Sequence, residues 1–160
     1  MTDWIQHHRL LLESRENAHL FAFLERFGPE AEQVARRTYY EHGFANGKRA
    51  WAKASPASND VATAVQILLR WVIGGLPAEE KVEWRENTER KVVLRSIGCA
   101  HMAAWRAAGV PTAKACDLYK EWVDGFIHAI NPGIQHYKTS RVSAGDSYCE
   151  EVWELDADED

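Results

Sequence analysis

Apolar positions recur at helical spacing through the first half of the chain. Leu20, Phe23, Leu24 and Phe27 fall at i, i+3, i+4 and i+7, and Gly28-Pro29 ends that stripe. From Glu30 a second stripe runs through Ala31, Val34, Ala35 and Tyr39, with Gly43 and Gly47 weakening its far end. Pro56 and Ser58-Asn59-Asp60 mark a loop and an N-cap. Val61, Val65, Leu68 and Val72 then form a third stripe, which Gly74-Gly75 and Pro77 stop. These signals predict a run of helices with no chemistry of their own.

In the second half the period changes. Val82 and Trp84 alternate with charged residues, and so do Val92 and Leu94 beyond Glu86-Asn87-Thr88-Glu89, which predicts a β-hairpin with a polar turn. Ala100 to Ala108 reads as a short helix closed by Gly109. Pro111-Thr112 opens a longer one, with Cys116, Tyr119, Val123, Phe126, Ile127 and Ile130 on its apolar face and Asn131-Pro132-Gly133 at its end. Ile134 to Val142 and Ser147 to Leu155 read as two strands joined by Ser143-Ala144-Gly145-Asp146. The expected class is α+β, with N-terminal helices packed against an antiparallel sheet in ββααββ order. No repeat or linker interrupts the chain, so one domain is expected over 1–160: a helical part (1–76), the ββααββ part (77–155) and an acidic tail (156–160).

Composition narrows the partners. Across 160 residues, 46% hydrophobic and 27% charged side chains place the chain among globular proteins rather than disordered ones. Nineteen Lys and Arg against 24 Asp and Glu give a net charge of −5, which argues against nucleic acid or an anionic membrane as partner. Met1-Thr2-Asp3-Trp4 shows no basic-then-apolar leader, and the most apolar stretch, Val61 to Ile73, is short of the roughly 20 residues a bilayer needs. Three cysteines without zinc-ribbon spacing point to a reduced protein, and the expected location is cytoplasmic. The expected partner is a small-molecule substrate, and a homo-oligomer stays open. Seven tryptophans serve as core or as pocket lining.

The sharpest local feature is Ile97-Gly98-Cys99-Ala100-His101, a cysteine at a strand-to-helix junction. Helix N-terminal N–H groups there favour a thiolate, and His101 is placed to act as a base; a buried Cys beside a surface His is the plainer alternative. On the long helix, Asp117, Glu121, Asp124 and His128 share a polar side, as an acid–base pair, as ligands or simply as a solvated face. Cys116 lies on the apolar face and reads as core. Cys149 shares a strand face with Trp153 and Leu155, which favours burial but leaves a second thiolate or ligand open. Lys138 and Arg141 should point to opposite faces of their strand, so at most one reaches an enclosed site, where it could hold a carboxylate. No phosphate-loop, Gly-x-Ser-x-Gly or His-Glu-x-x-His pattern occurs.

Cys99-Ala100-His101-Met102-Ala103-Ala104-Trp105-Arg106-Ala107-Ala108-Gly109 resembles the Cys-plus-helix segment of the L-2-amino-thiazoline-4-carboxylic acid hydrolase family. The likeness continues through Asp124, Ile130-Asn131-Pro132, Lys138-Thr139 and Gly145-Asp146-Ser147-Tyr148-Cys149. The chain departs from the family pattern at Ala100, Lys120, Lys138 and Arg141. A more distant likeness is to vinyl-4-reductase-type sensor domains, which share a late Gly-Asp-x-x-Cys strand. The resemblance implies a hydrolase that opens a cyclic amidine of a small carboxylated metabolite by nucleophilic attack of Cys99. Asp124, with His101 or His128, would relay protons, and Asn131 would orient Asp124 or the leaving nitrogen. Lys138 or Arg141 would bind a carboxylate.

Two other readings stand beside this one. The first is a sensor or carrier without turnover, with an aromatic pocket of Trp84, Trp105 and Trp122. The second is a zinc-dependent hydrolase using Cys99, Cys149 and Asp124 or His101 as ligands. The leading expectation needs no cofactor or metal.

Overall fold

The computed structural model describes residues 2–73 and 81–156. Gly74-Gly75, Pro77 and the last four residues of the acidic tail lie outside them. Three helices come first: α1 (Thr2–Phe27), α2 (Pro29–Ala54) and α3 (Val61–Ile73). The hairpin β1 (Lys81–Asn87) and β2 (Lys91–Ile97) follows, then α4 (Ala100–Ala107) and α5 (Thr112–His128). A second pair of strands, β3 (Ile134–Ser140) and β4 (Cys149–Leu155), flanks a single 3-10 turn at Val142–Ala144. The class is α+β, as expected from the change of period. The strands form one antiparallel sheet in the spatial order β1-β2-β4-β3, so the α4–α5 connection carries the chain past the place that β4 later fills.

Local chemistry accounts for the boundaries. Gly28 adopts a φ of 74° between α1 and α2, a left-handed conformation open to glycine, and Pro29 fits the first helical position. Asp60 caps α3: its Oδ1 accepts the Thr63 N–H at 2.8 Å. The hairpin turn docks on the same helix end, where Val61 N–H donates to the Glu89 carbonyl at 2.9 Å.

The main core lies between the sheet and the helices α3 and α5. Val61, Val65 and Leu68 of α3 meet Val92 and Leu94 of β2, Val123, Phe126 and Ile127 of α5, and Trp153 of β4. Helix α2 covers α5 on the side away from the sheet, and α1 packs on α4 and α2. The α2–α5 crossing is very close. A Cβ added at Gly43 would sit 2.0 Å from the Trp122 carbonyl oxygen, and one at Gly47 would sit 2.3 Å from that of Phe126. These glycines therefore do not merely weaken α2: they let two backbones touch.

The early stripes bury less than their spacing predicts. Leu24, Ala31 and Ala35 are buried, but Phe23, Phe27 and Val34 are 50%, 60% and 63% exposed, because α1 and α2 meet their neighbours along a narrow strip. At the C-terminal end the tail is partly held. Leu155 packs against the main core, and the Asp156 carboxylate accepts from Gln135 Nε2 at 2.8 and 2.9 Å.

Candidate functional site

Strand alternation in β3 and β4 turns His136, Lys138, Cys149, Glu151 and Trp153 toward the helices. Of these, the register places His136, Lys138 and Glu151 together. Lys138 faces Glu151 directly, and its Nζ lies 2.9 Å from Glu151 Oε1. His136 Nε2 lies 3.2 Å from Glu151 Oε2, while its Nδ1 lies 2.6 Å from Asp124 Oδ1 on α5. Lys120 closes the chain, donating to Asp124 Oδ2 at 2.6 Å. The result is an alternating series, Lys120–Asp124–His136–Glu151–Lys138, running from the helix surface into the interior. His136 has only 1% of its side chain exposed and stacks at 4.8 Å, 5° from parallel, on Trp153. Both imidazole nitrogens face carboxylate oxygens, so both contacts are hydrogen bonds when both nitrogens carry hydrogen.

The charges hold one another. Burial alone would raise the Glu151 carboxyl, but the Lys138 ammonium and the His136 hydrogen bond hold it far below the usual carboxylate range. For Lys138 burial opposes the charge, and Glu151 outweighs it, so the ammonium is held above its ordinary pKa. Asp124 is likewise lowered, burial being outweighed by His136 and Lys120. The Cys149 thiol is pushed up by burial, although its Sγ accepts the Val142 N–H at 3.3 Å. Lys138 Nζ also approaches Cys116 Sγ at 3.5 Å.

Tyr119 on α5 stands where this network meets a second set of groups. It lines one cavity with Glu151 and others with Glu13 and His101, packs with Cys99 on the Met102–Trp105–Cys116 cluster, and burial pushes its pKa up. Cys99 is half-buried at the N-cap of α4. His101, in the first turn of that helix, pairs its Nδ1 with Glu13 of α1, lies 4.3 Å from the Tyr119 ring and stacks on Trp105. Three cavities share Tyr119. A cleft of about 650 Å³ among α1, α2, α3, α4 and α5 is lined by Glu13, Glu16, His42, His101 and Trp122. A smaller one of about 180 Å³ adds Trp105. A pocket of about 90 Å³ lies on the sheet side, with Ser96, Glu151 and Trp153.

The sequence-derived residues are thus only partly gathered. Cys99, His101 and Trp105 cluster around α4, and Asp124 and Lys138 join through His136 and Glu151. Asp124 pairs with His136, not with His101 or His128. His128 is engaged elsewhere, by the Tyr40 hydroxyl at 3.0 Å and the Ile134 carbonyl at 3.2 Å. Asn131 turns away from Asp124: its Nδ2 donates to the Asn59 carbonyl and its Oδ1 accepts from Gly133 N–H, which fixes the turn after α5. Arg141 lies past the end of β3, so strand alternation does not govern it, and it pairs with Asp117 at 2.6 Å at the surface. Neither Lys138 nor Arg141 is a spare cation. Trp84 is 43% exposed and lines none of these cavities, apart from Trp105 and Trp122.

The polar side of α5 is only partly solvated, because it runs along the seam between α2 and β3. Asp117 and Asp124 meet Arg141 and His136, while Glu121 and His128 meet Arg36 and Tyr40 of α2. Among the described residues no three His, Cys, Asp or Glu side chains are grouped as a metal site requires, and the set Cys99, Cys149 and Asp124 does not fit one. Both Asp124 oxygens are already engaged, and the Cys149 sulfur accepts a backbone N–H.

His136, Glu151, Tyr119 and Trp153 were not singled out by their sequence. One signal was available: Glu151 sits at i+2 from Cys149 and i−2 from Trp153, an acid on a face otherwise read as buried.

Comparison with known proteins places this architecture. The description of the L-2-amino-thiazoline-4-carboxylic acid hydrolase family matches residues 8–153, and the chain belongs to that family. Among solved structures it is similar to the phenol-responsive sensory domain of the transcription activator PoxR, determined with phenol. That likeness has a TM-score of 0.61 at 15% identity, covering 89% of this chain and 74% of the other, and it shows a shared fold. No curated protein matches the chain. Among the described residues no helix is long and apolar enough to cross a membrane.

Proposed function

We propose that this protein is a hydrolase that opens a small cyclic amidine or related heterocycle, with Cys99 as the nucleophile. The observation that carries the reading is the packing around Tyr119, in a chain of this family, of Cys99 and His101 from the head of α4 and of Glu151 from the buried Glu151–Lys138–His136–Asp124 series. The Cys99 thiolate, at the N-terminus of α4, adds to the amidine carbon. Glu151 stays ionised and pairs with the amidine N–H groups, which keeps that carbon electrophilic. The ring bond from this carbon to the departing heteroatom breaks, leaving the carbon on Cys99 Sγ. Water then adds and the thiolate leaves, so that ring plus one water become an open-chain urea. The water's two protons end on the ring nitrogen and on the departed heteroatom. His101, fixed by Glu13, carries protons on the α4 side. Asp124 acts through His136, as a positioning residue for Glu151.

The test is the release of a new thiol from 2-amino-2-thiazoline or its 4-carboxylate by purified protein. Turnover should occur in the natural chain and vanish in Cys99→Ser, with binding retained. Equal rates in the two would remove the nucleophile. Saturable binding without consumption of either compound would establish a ligand-binding module instead.

A further inference from the structure

The pocket between Tyr119 and the sheet contains a buried donor with no acceptor. Trp153 is 2% exposed, lines this pocket, and its Nε1–H finds no hydrogen-bond partner among the described residues. Native interiors rarely leave such a donor unmet without a bound group to meet it. The space is sufficient: about 90 Å³, against the ~10–15 Å³ that a single water requires. Aliphatic side chains of α3, β1 and β2 wall the pocket, while Ser96, Tyr119, Glu151 and Trp153 bring polar atoms to it. An apolar enclosure with a few convergent polar groups is the usual form of a small-molecule site.

We infer that this pocket binds a small, flat heterocyclic amine that carries no carboxylate, with the Trp153 indole N–H donating to the ring's acceptor and Glu151 accepting from its N–H groups. Each Glu151 oxygen takes one protein hydrogen bond, from Lys138 or from His136, and keeps a lone pair for a further donor. The absence of a carboxylate from the ligand follows from the cations. Lys138 is held by Glu151, Arg141 is held by Asp117, and among the described residues no Lys or Arg lines the pocket. A ligand carboxylate would instead face the Glu151 anion. Glu151 lines this pocket and Cys99 does not, so the inference concerns binding alone and rests on the proposed function only for the choice of amidine probes.

The experiment measures binding rather than turnover. The Cys99→Ser protein is titrated with 2-amino-2-thiazoline and, separately, with 2-amino-2-thiazoline-4-carboxylate. The Trp153 indole N–H is followed by NMR, assigned through the His136 ring stacked 4.8 Å away. The expected result is a saturable shift of that resonance with the amine and at least tenfold weaker binding of the carboxylate. Trp153→Phe should weaken the amine about tenfold. Because that variant opens the core, Val82→Phe is the second probe: it adds bulk at a half-buried wall and should abolish binding in a folded protein. An unmoved Trp153 resonance at saturation, equal or tighter binding of the carboxylate, or full affinity in folded Val82→Phe overturns the inference. If the amine binds as described and the natural chain does not turn it over, the hydrolase reading falls and this site stands.

Discussion

Replacing Lys138 by Met tests whether the buried charge series is a working unit. The substitution keeps the aliphatic stem and removes the ammonium from a position with 7% side-chain exposure, opposite a Glu151 with 23%. Breaking a buried pair by deleting one partner costs about 3–5 kcal/mol, whereas exposed pairs are worth about 0–1 kcal/mol. Thermal unfolding in a chain of this size moves roughly 2–4 °C per kcal/mol, so a fall on the order of 6–20 °C is expected near pH 7. The pH dependence fixes the cause. With Lys138 present, the Glu151 pKa is lowered, so its contribution exists above the unfolded carboxylate pKa of about 4.3 and is lost as pH falls. Without Lys138 only His136 opposes the effect of burial, so that pKa rises from its value in the natural protein and the variant relieves its penalty by taking up a proton at higher pH. The gap in melting temperature between the two proteins should therefore narrow from pH 7 to pH 5. Adding Glu151→Gln should recover much of the loss, which denaturation of all four proteins of the cycle would show. A cost under about 1 kcal/mol, or a gap independent of pH, would refute the argument.

Three further outcomes are expected. Gly47→Ala places a Cβ 2.3 Å from the Phe126 carbonyl oxygen and must part α2 from α5, costing about 1–3 kcal/mol or more. Gly28→Ala meets nothing within 4 Å, and its cost comes from φ 74° and ψ −153°, a region nearly confined to glycine, at roughly 1–3 kcal/mol; chemical denaturation should find both variants destabilised, and an unchanged Gly47→Ala would discredit the close crossing. Mass spectrometry after brief treatment with a thiol reagent should find Cys99 modified first, since Cys116 and Cys149 are 4% and 6% exposed and burial holds the Cys149 thiol protonated. Acid should destabilise the fold steeply below about pH 4, because Asp124 and Glu151 are both lowered and lose their partners as they protonate. A melting temperature flat from pH 5 to pH 2 would contradict that.

The α+β class was legible in the sequence because helices and strands each depend on a period carried by neighbouring residues. Asp60 at an N-cap, Gly28-Pro29 between α1 and α2, and the inward face of Cys149 and Trp153 are local facts of this kind. Cys99, at the head of α4, was legible for the same reason. What the chain could not announce by itself was partnership. Asp124 finds His136 because α5 lies over β3, and His136 finds Glu151 because β3 and β4 pair in one register. A shift of that register by one residue would turn Glu151 to the other face. The polar stripe of α5 could be read as a site or a solvated surface until Arg36 and Tyr40 on one side and His136 and Arg141 on the other met it, and Gly43 and Gly47 looked like weak points until Trp122 and Phe126 met them. Burial and proximity between distant segments exist only after packing. Sequence therefore determined the elements and the candidate nucleophile, while tertiary structure alone decided which charges are shared and where a ligand has room.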